Sequence, residues 1–133
     1  MKPARGQPLS LCHIDEIADP GSRGFVLPPD PGKPVPEAGE RDADLFVVRR
    51  GARVFGYLNR CPHTGAPLEW LPHQFLDAEN RLIQCSLHGA RFFPETGACV
   101  DGPCAGEGLR PVALELVDGQ IHLAAGQRVP RRD

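Results

Sequence analysis

Short apolar or alternating runs recur along the chain, each bounded by residues that favour turns. Leu9-Ser10-Leu11-Cys12-His13-Ile14 reads as a first strand and Gly24-Phe25-Val26-Leu27 as a second. The segments 44–50 and 53–58, both rich in β-branched and aromatic residues, read as a hairpin around Gly51-Ala52. Arg81–Cys85 and Ala90–Phe93 form a second apolar pair. Pro111–Val117 turns at Asp118-Gly119 into Gln120–Ala124, and an Asp-Gly between two such runs is a strong hairpin signal. The only helix candidate is a short turn around Ile14 to Ala18, and there is neither an internal repeat nor a heptad. The pattern predicts an all-β fold of stacked antiparallel sheets.

With 133 residues the chain suits one domain, spanning 1–133. Hydrophobic residues at 41% and charged residues at 24% allow an ordinary core. Gly and Pro, 15 of each, fit many turns between short strands. Residues 28–38 hold five prolines in eleven positions and cannot sustain a regular ladder, so they read as a surface excursion. The net charge of −2 argues against nucleic acid as a partner. No apolar run approaches the roughly 18 to 20 residues that cross a bilayer, and the first residues do not resemble a secretory leader. The expected location is the cytoplasm. Five cysteines, an odd set, fit metal ligation or free thiols better than a disulfide framework there. The tail from 126 to 133 reads as solvated chain.

Two cysteine-histidine pairs stand out: Cys61-Pro62-His63, and Cys85-Ser86-Leu87-His88. Twenty-one residues lie between His63 and Cys85, and each pair follows a strand-like run, so two strand ends can present two loops to one site. The order C-x-H then C-x-x-H resembles the Rieske family. So do Asn59–Leu68 around the first pair, and Cys85–Phe92 with Thr96–Val100 around the second. Gly102-Pro103, leading into Leu109–Val112, is similar to the proline-containing loop that covers the cluster in that family. The similarity runs from about residue 44 to residue 124.

That resemblance implies a 2Fe-2S cluster held by Cys61 and Cys85 on one iron and by His63 and His88 on the other, in a subdomain of about 60–105 inserted in the larger β domain. Neutral imidazoles in place of two thiolates raise the reduction potential. Reduction should also favour proton uptake on the imidazoles. Gly65 and Gly89 would let backbone amides approach the cluster sulfides. High-potential members carry a disulfide between the loops, where this chain has Ala66 and Leu87, and a serine where it has Ala90. The potential is therefore expected towards the lower end of the roughly −150 to +300 mV range of Rieske centres.

The implied function is a ferredoxin-like one-electron carrier, with redox partner proteins such as a reductase and an oxygenase. Electrons would leave by the edges of His63 and His88, ringed by Pro62, Pro67, Leu87 and Pro103, a rim suited to a small transient encounter. Two other readings stand beside it: a small Rieske subunit of a larger oxidoreductase such as nitrite reductase, and a zinc-binding or structural module without redox work. Zinc sites usually pair like with like, which disfavours the last. The length leaves no room for an oxygenase's mononuclear iron domain. Cys99, Cys104 and Cys12 read as small buried hydrophobes, with a Cys99–Cys104 disulfide or a shielding role for that pair as the alternative. His13, His73 and His122 read as surface or satisfied histidines. Trp70, Leu71 and Phe75, in an inter-loop gap longer than is common in Rieske ferredoxins, read as a cap on the cluster subdomain, or else as a docking surface.

Overall fold

A computed structural model of the chain describes residues 9–26, 43–62, 65–69, 71–86, 89–102 and 107–124. The Pro-rich segment 28–38, Trp70, Cys104 and the tail lie outside the described residues. Among the described residues ten short strands make three antiparallel sheets. They are β1 (Leu9–His13), β2 (Gly21–Phe25), β3 (Leu45–Arg50), β4 (Arg53–Leu58), β5 (Ile83–Gln84), β6 (Arg91–Phe92), β7 (Cys99–Asp101), β8 (Pro111–Val112), β9 (Leu114–Val117) and β10 (Gln120–Leu123). The sheet orders are β1-β10-β9, β2-β3-β4-β8 and β5-β6-β7. The all-β antiparallel architecture agrees with the pattern of short apolar runs. Among the described residues the sole helical element is a 3-10 turn at Ile14–Glu16, capped by the His13 imidazole and the Glu16 carboxylate. No helix among them is long and apolar enough to cross a membrane.

The β3–β4 hairpin closes through Gly51-Ala52, as its sequence predicts, and its register pairs Leu45 with Leu58 and Arg50 with Arg53. Residues 45–48 of β3 are all fully buried, because both faces of this strand meet a core. Successive side chains point to opposite faces. Leu45 and Val47 therefore join Leu11, Ile14, Ile17, Phe25, Leu58, Val112, Ile121 and Leu123 on one side. Phe46 and Val48 join Tyr57, Leu68, Phe75, Ile83, Phe92 and both candidate cysteines, Cys61 and Cys85, on the other. The four-stranded sheet is thus the middle layer, with the β1-β10-β9 sheet on one face and the candidate site on the other.

Three departures from the predicted elements have physical causes. β2 begins at Gly21, ahead of the apolar run, because ladder bonding to β3 extends to Arg49 although the side chains there are only half-buried. The run 111–117 is split at Ala113: β8 pairs with β4 and β9 with β10, so one apolar stretch serves two sheets. The predicted strands at 81–85 and 90–93 shrink to two residues each, their outer residues being taken up by the turns they flank.

The long gap between the cysteine turns docks on the free edge of β2. Ser22 Oγ donates to the His73 carbonyl at 2.6 Å, the Gly24 N–H donates to His73 Nδ1 at 3.1 Å, and the Phe75 N–H donates to Ser22 Oγ at 3.2 Å. An edge that would otherwise offer unpaired main chain is covered in this way. Phe75 then lies fully buried and stacks on Phe46, with centroids 4.2 Å apart and planes 6° from parallel. Phe75 is therefore core, whereas Leu71 is 50% exposed.

Candidate metal centre

Cys61 follows β4 after two residues, and Cys85 follows β5 directly. Both begin turns of the same design. The Cys61 N–H donates to the Ala66 carbonyl at 2.8 Å, and its own carbonyl accepts the Gly65 N–H at 2.6 Å. The Cys85 N–H donates to the Ala90 carbonyl at 2.8 Å, and its carbonyl accepts the Gly89 N–H at 2.9 Å. Each turn therefore closes from the cysteine to the fourth and fifth residues after it. The fourth is glycine in both, at φ 77° and 73°, a left-handed conformation that costs a side chain about 1–2 kcal/mol. The two glycine amides bond the cysteine carbonyls and so close each turn.

Both cysteines are buried, Cys61 being 2% and Cys85 0% exposed, and both belong to one core cluster. The turns are joined directly: the Ser86 N–H, next to Cys85, donates to the Leu68 carbonyl at 2.9 Å. Pro62, Ala66 and Pro67 are half-buried, and Gly65 and Ser86 are exposed, so the thiols face inward while the turns reach the surface. His63 and His88 lie outside the described residues. Among the described residues no group of three or more His, Cys, Asp or Glu side chains is gathered as for a metal ion. Two buried cysteine sulfurs in one core cluster, each at the start of a matching turn, are soft donors that suit an iron–sulfur centre or zinc.

Gly102, directly after β7, packs against Ala90 at the close of the second turn. A Cβ on Gly102 would meet the Ala90 Cα at 2.8 Å, so this contact of backbone on backbone requires glycine, at φ 98°. β7 itself is held to β6 by the exposed pair Arg91–Asp101, bonded through Arg91 Nε at 3.1 Å and through Nη2, which draws the Asp101 carboxyl pKa below its ordinary value. Cys99 is disulfide-bonded, contrary to its reading as a simple buried hydrophobe; Cys104, the alternative partner in the sequence, lies outside the described residues. Cys12 is a buried core residue, as read. His13 and His73 are satisfied histidines, while His122 Nδ1 is buried without a hydrogen-bond partner among the described residues.

Two residues to which the motif reading gave no role support the first turn. Asn59, fully buried, donates through Nδ2 to Glu69 Oε1 at 2.7 Å and to the Ala43 carbonyl at 2.9 Å, and accepts the Leu68 N–H on Oδ1 at 2.8 Å. Glu69 Oε2 accepts the Ala43 N–H at 3.2 Å. No local pattern announces them, because the partners are distant in sequence and three of the four bonds go to main chain. Tyr57 ties the middle sheet to the turn after β6, its hydroxyl donating to the Pro94 carbonyl at 2.6 Å. Burial first, and the nearby Glu95 carboxylate second, push the Tyr57 phenol up to about 12.

A family model, the Rieske [2Fe-2S] domain, matches residues 28–122. Among solved structures, the ferredoxin of carbazole 1,9a-dioxygenase from Nocardioides aromaticivorans IC177 is 27% identical, with a TM-score of 0.62 over 90% of this chain and 98% of that one. The Sphingomonas yanoikuyae B1 ferredoxin, 23% identical, shares the fold with a TM-score of 0.58 over 89% of this chain and 98% of its own. The terminal oxygenase of carbazole 1,9a-dioxygenase from the same Nocardioides strain shares it too, at 18% identity and a TM-score of 0.64, over 96% of this chain but 32% of the oxygenase. No curated protein matches the chain.

Proposed function

This chain belongs to the Rieske [2Fe-2S] domain family, and we propose that it is a ferredoxin-type one-electron carrier between a reductase and an oxygenase or similar redox enzyme. The observation that carries this reading is the near-complete mutual coverage with a free-standing ferredoxin, against coverage of about a third of an oxygenase. The two buried thiols in matched turns fit the inner half of such a site.

In this reading Cys61 and Cys85 hold one iron of the cluster, and His63 and His88 hold the other. When bound, the cluster would supply one-electron chemistry, accepting and releasing a single electron at a time. The chain's own residues set the conditions. The core around Phe46, Leu68, Phe75 and Phe92 keeps water from the thiolate side. Pro62, Ala66 and Pro67 leave a small, largely uncharged surface at the turns, suited to brief encounters. Ala66, Leu87 and Ala90, where high-potential members carry their cysteines and serine, place the potential low in the Rieske range. We assign the cluster-binding part to about residues 60–105 of a single domain, and the protein to the cytoplasm.

The test is the visible and EPR spectrum of the purified protein before and after dithionite. A red-brown protein that gives the rhombic, low-average-g signal of a histidine-ligated cluster on reduction supports the carrier. A colourless protein with stoichiometric zinc after anaerobic reconstitution overturns it in favour of a structural module. Co-purification in a stable complex would instead favour a subunit of a larger oxidoreductase.

A further inference from the structure

We propose that Asn59 is a positioning residue that sets the separation of the two cysteine turns, acting with Glu69 as a latch. The inference rests on the cluster reading above, since the separation matters for what the two thiolates hold.

Asn59 stands two residues before Cys61, and its main-chain N–H donates to the Asp44 carbonyl at 3.1 Å, which fixes it to the entry of β3. Its side chain reaches across the turn to the Leu68 N–H, 2.8 Å from Oδ1. The Leu68 carbonyl in turn accepts the Ser86 N–H at 2.9 Å. One residue is therefore gripped at both ends of its main chain, by the residue before the Cys61 turn and by the residue after Cys85. The middle sheet, the first turn and the second turn are connected through it. Leu68 is itself fully buried, so its position can shift only by disturbing the core around it.

The partners fix which way the amide faces. Both groups at Nδ2, the Ala43 carbonyl and the Glu69 carboxylate, can only accept, and the group at Oδ1 is an N–H that can only donate. The bond to Glu69 is charge-assisted and is the shortest of the three. An aspartate at this position would keep the Leu68 bond but place its other oxygen against two acceptors, one of them charged. A buried network disturbed in this way is worse than none.

The decisive experiment compares Asn59→Asp, Glu69→Gln and the double variant. It reads iron content, the EPR g-values and the midpoint potential of the loaded protein, together with amide exchange at Leu68 and Ser86. We expect Asn59→Asp to cut iron occupancy several-fold, to shift the g-values and potential of what remains, and to speed exchange at both amides. In the double variant the new amide at position 69 can donate to the new carboxylate at position 59, and the wild-type spectrum should largely return. Should Asn59→Asp fail to accumulate, Glu69→Gln alone carries the test, with shifts in the same direction and smaller. Loaded variants that melt earlier yet keep wild-type g-values and potential would overturn the proposal, since Asn59 would then only support the fold. A wild type that holds no cluster after reconstitution would instead overturn the function reading and remove the premise.

Discussion

Cys61 and Cys85 begin turns with the same closing hydrogen bonds and the same left-handed glycine, yet the two turns are anchored differently. The first leaves the middle sheet and is held by buried polar groups: Asn59 and Glu69 grip Ala43 and Leu68. The second lies between the two-residue strands β5 and β6 and is held by packing and main chain. Its flanks Ile83, Ala90 and Phe92 are fully buried, the Gln84 N–H donates to the Phe75 carbonyl at 2.9 Å, and Gly102 presses on Ala90. A polar clamp fixes direction and register, whereas apolar packing fixes volume. Using one of each lets the second turn sit on a very small sheet while the first supplies the reference position.

The largest effects should ignore this difference. Cys61→Ser and Cys85→Ser are each expected to abolish iron binding, measured as iron and sulfide per chain, while Cys104→Ser should keep the cluster. If Cys104→Ser bleached the protein and Cys85→Ser did not, the assignment of ligands would be wrong. Next comes a change aimed at the packed side. Phe75→Ala removes a buried ring stacked on Phe46 and should cost about 3–5 kcal/mol in denaturant unfolding. A loss below about 1 kcal/mol would show that the second turn does not lean on Phe75 in the way its burial indicates.

Phe75 also shows where the sequence stops being informative. Strands whose partners are neighbours in the chain are legible: the hairpin 45–58 is rich in strand-forming residues, and Asp118-Gly119 forms a tight turn with φ of 50° and 81°. The cysteine-histidine spacing points to the cluster because ligand chemistry restricts residue type. By contrast, Phe75 sits in a segment without any period, and its burial is decided by β2 and Phe46, which are distant in sequence. Asn59 looks like any loop asparagine until Leu68 and Glu69 fold back on it. The same holds for the split of 111–117, since Ala113 carries no mark that the chain changes sheets there.

A smaller effect tests whether the turns are truly equivalent. Gly65→Ala and Gly89→Ala each force a left-handed alanine, at a cost of about 1–2 kcal/mol. Among the described residues neither new methyl meets a hard obstacle: nothing lies within 4 Å at Gly65, and the nearest atom at Gly89 is the Gln84 side-chain nitrogen at 3.8 Å. The two losses, read by thermal or denaturant unfolding, should therefore agree within about 0.5 kcal/mol. A large inequality would mean that the anchoring, polar or apolar, changes how much strain a turn tolerates.

The smallest effect at neutral pH concerns Tyr57, which links the middle sheet to the far end of the β6 turn through its bond to Pro94. Tyr57→Phe keeps the ring and loses one hydrogen bond, leaving the Pro94 carbonyl without this donor, for about 0.5–1.5 kcal/mol. The pH dependence is more telling. With its phenol at about 12 against an ordinary 10, folded Tyr57 keeps a proton that the unfolded chain releases. The stability this contributes is complete below about pH 10 and is lost as pH rises through about 12. Tyr57→Phe should flatten that part of the alkaline stability profile. Because the chain has a single tyrosine, phenolate absorbance reports on this residue alone. Ionisation near 10 in a protein still folded would mean that the hydroxyl is wet, and that the turn after β6 is held to the middle sheet without the Tyr57 hydrogen bond.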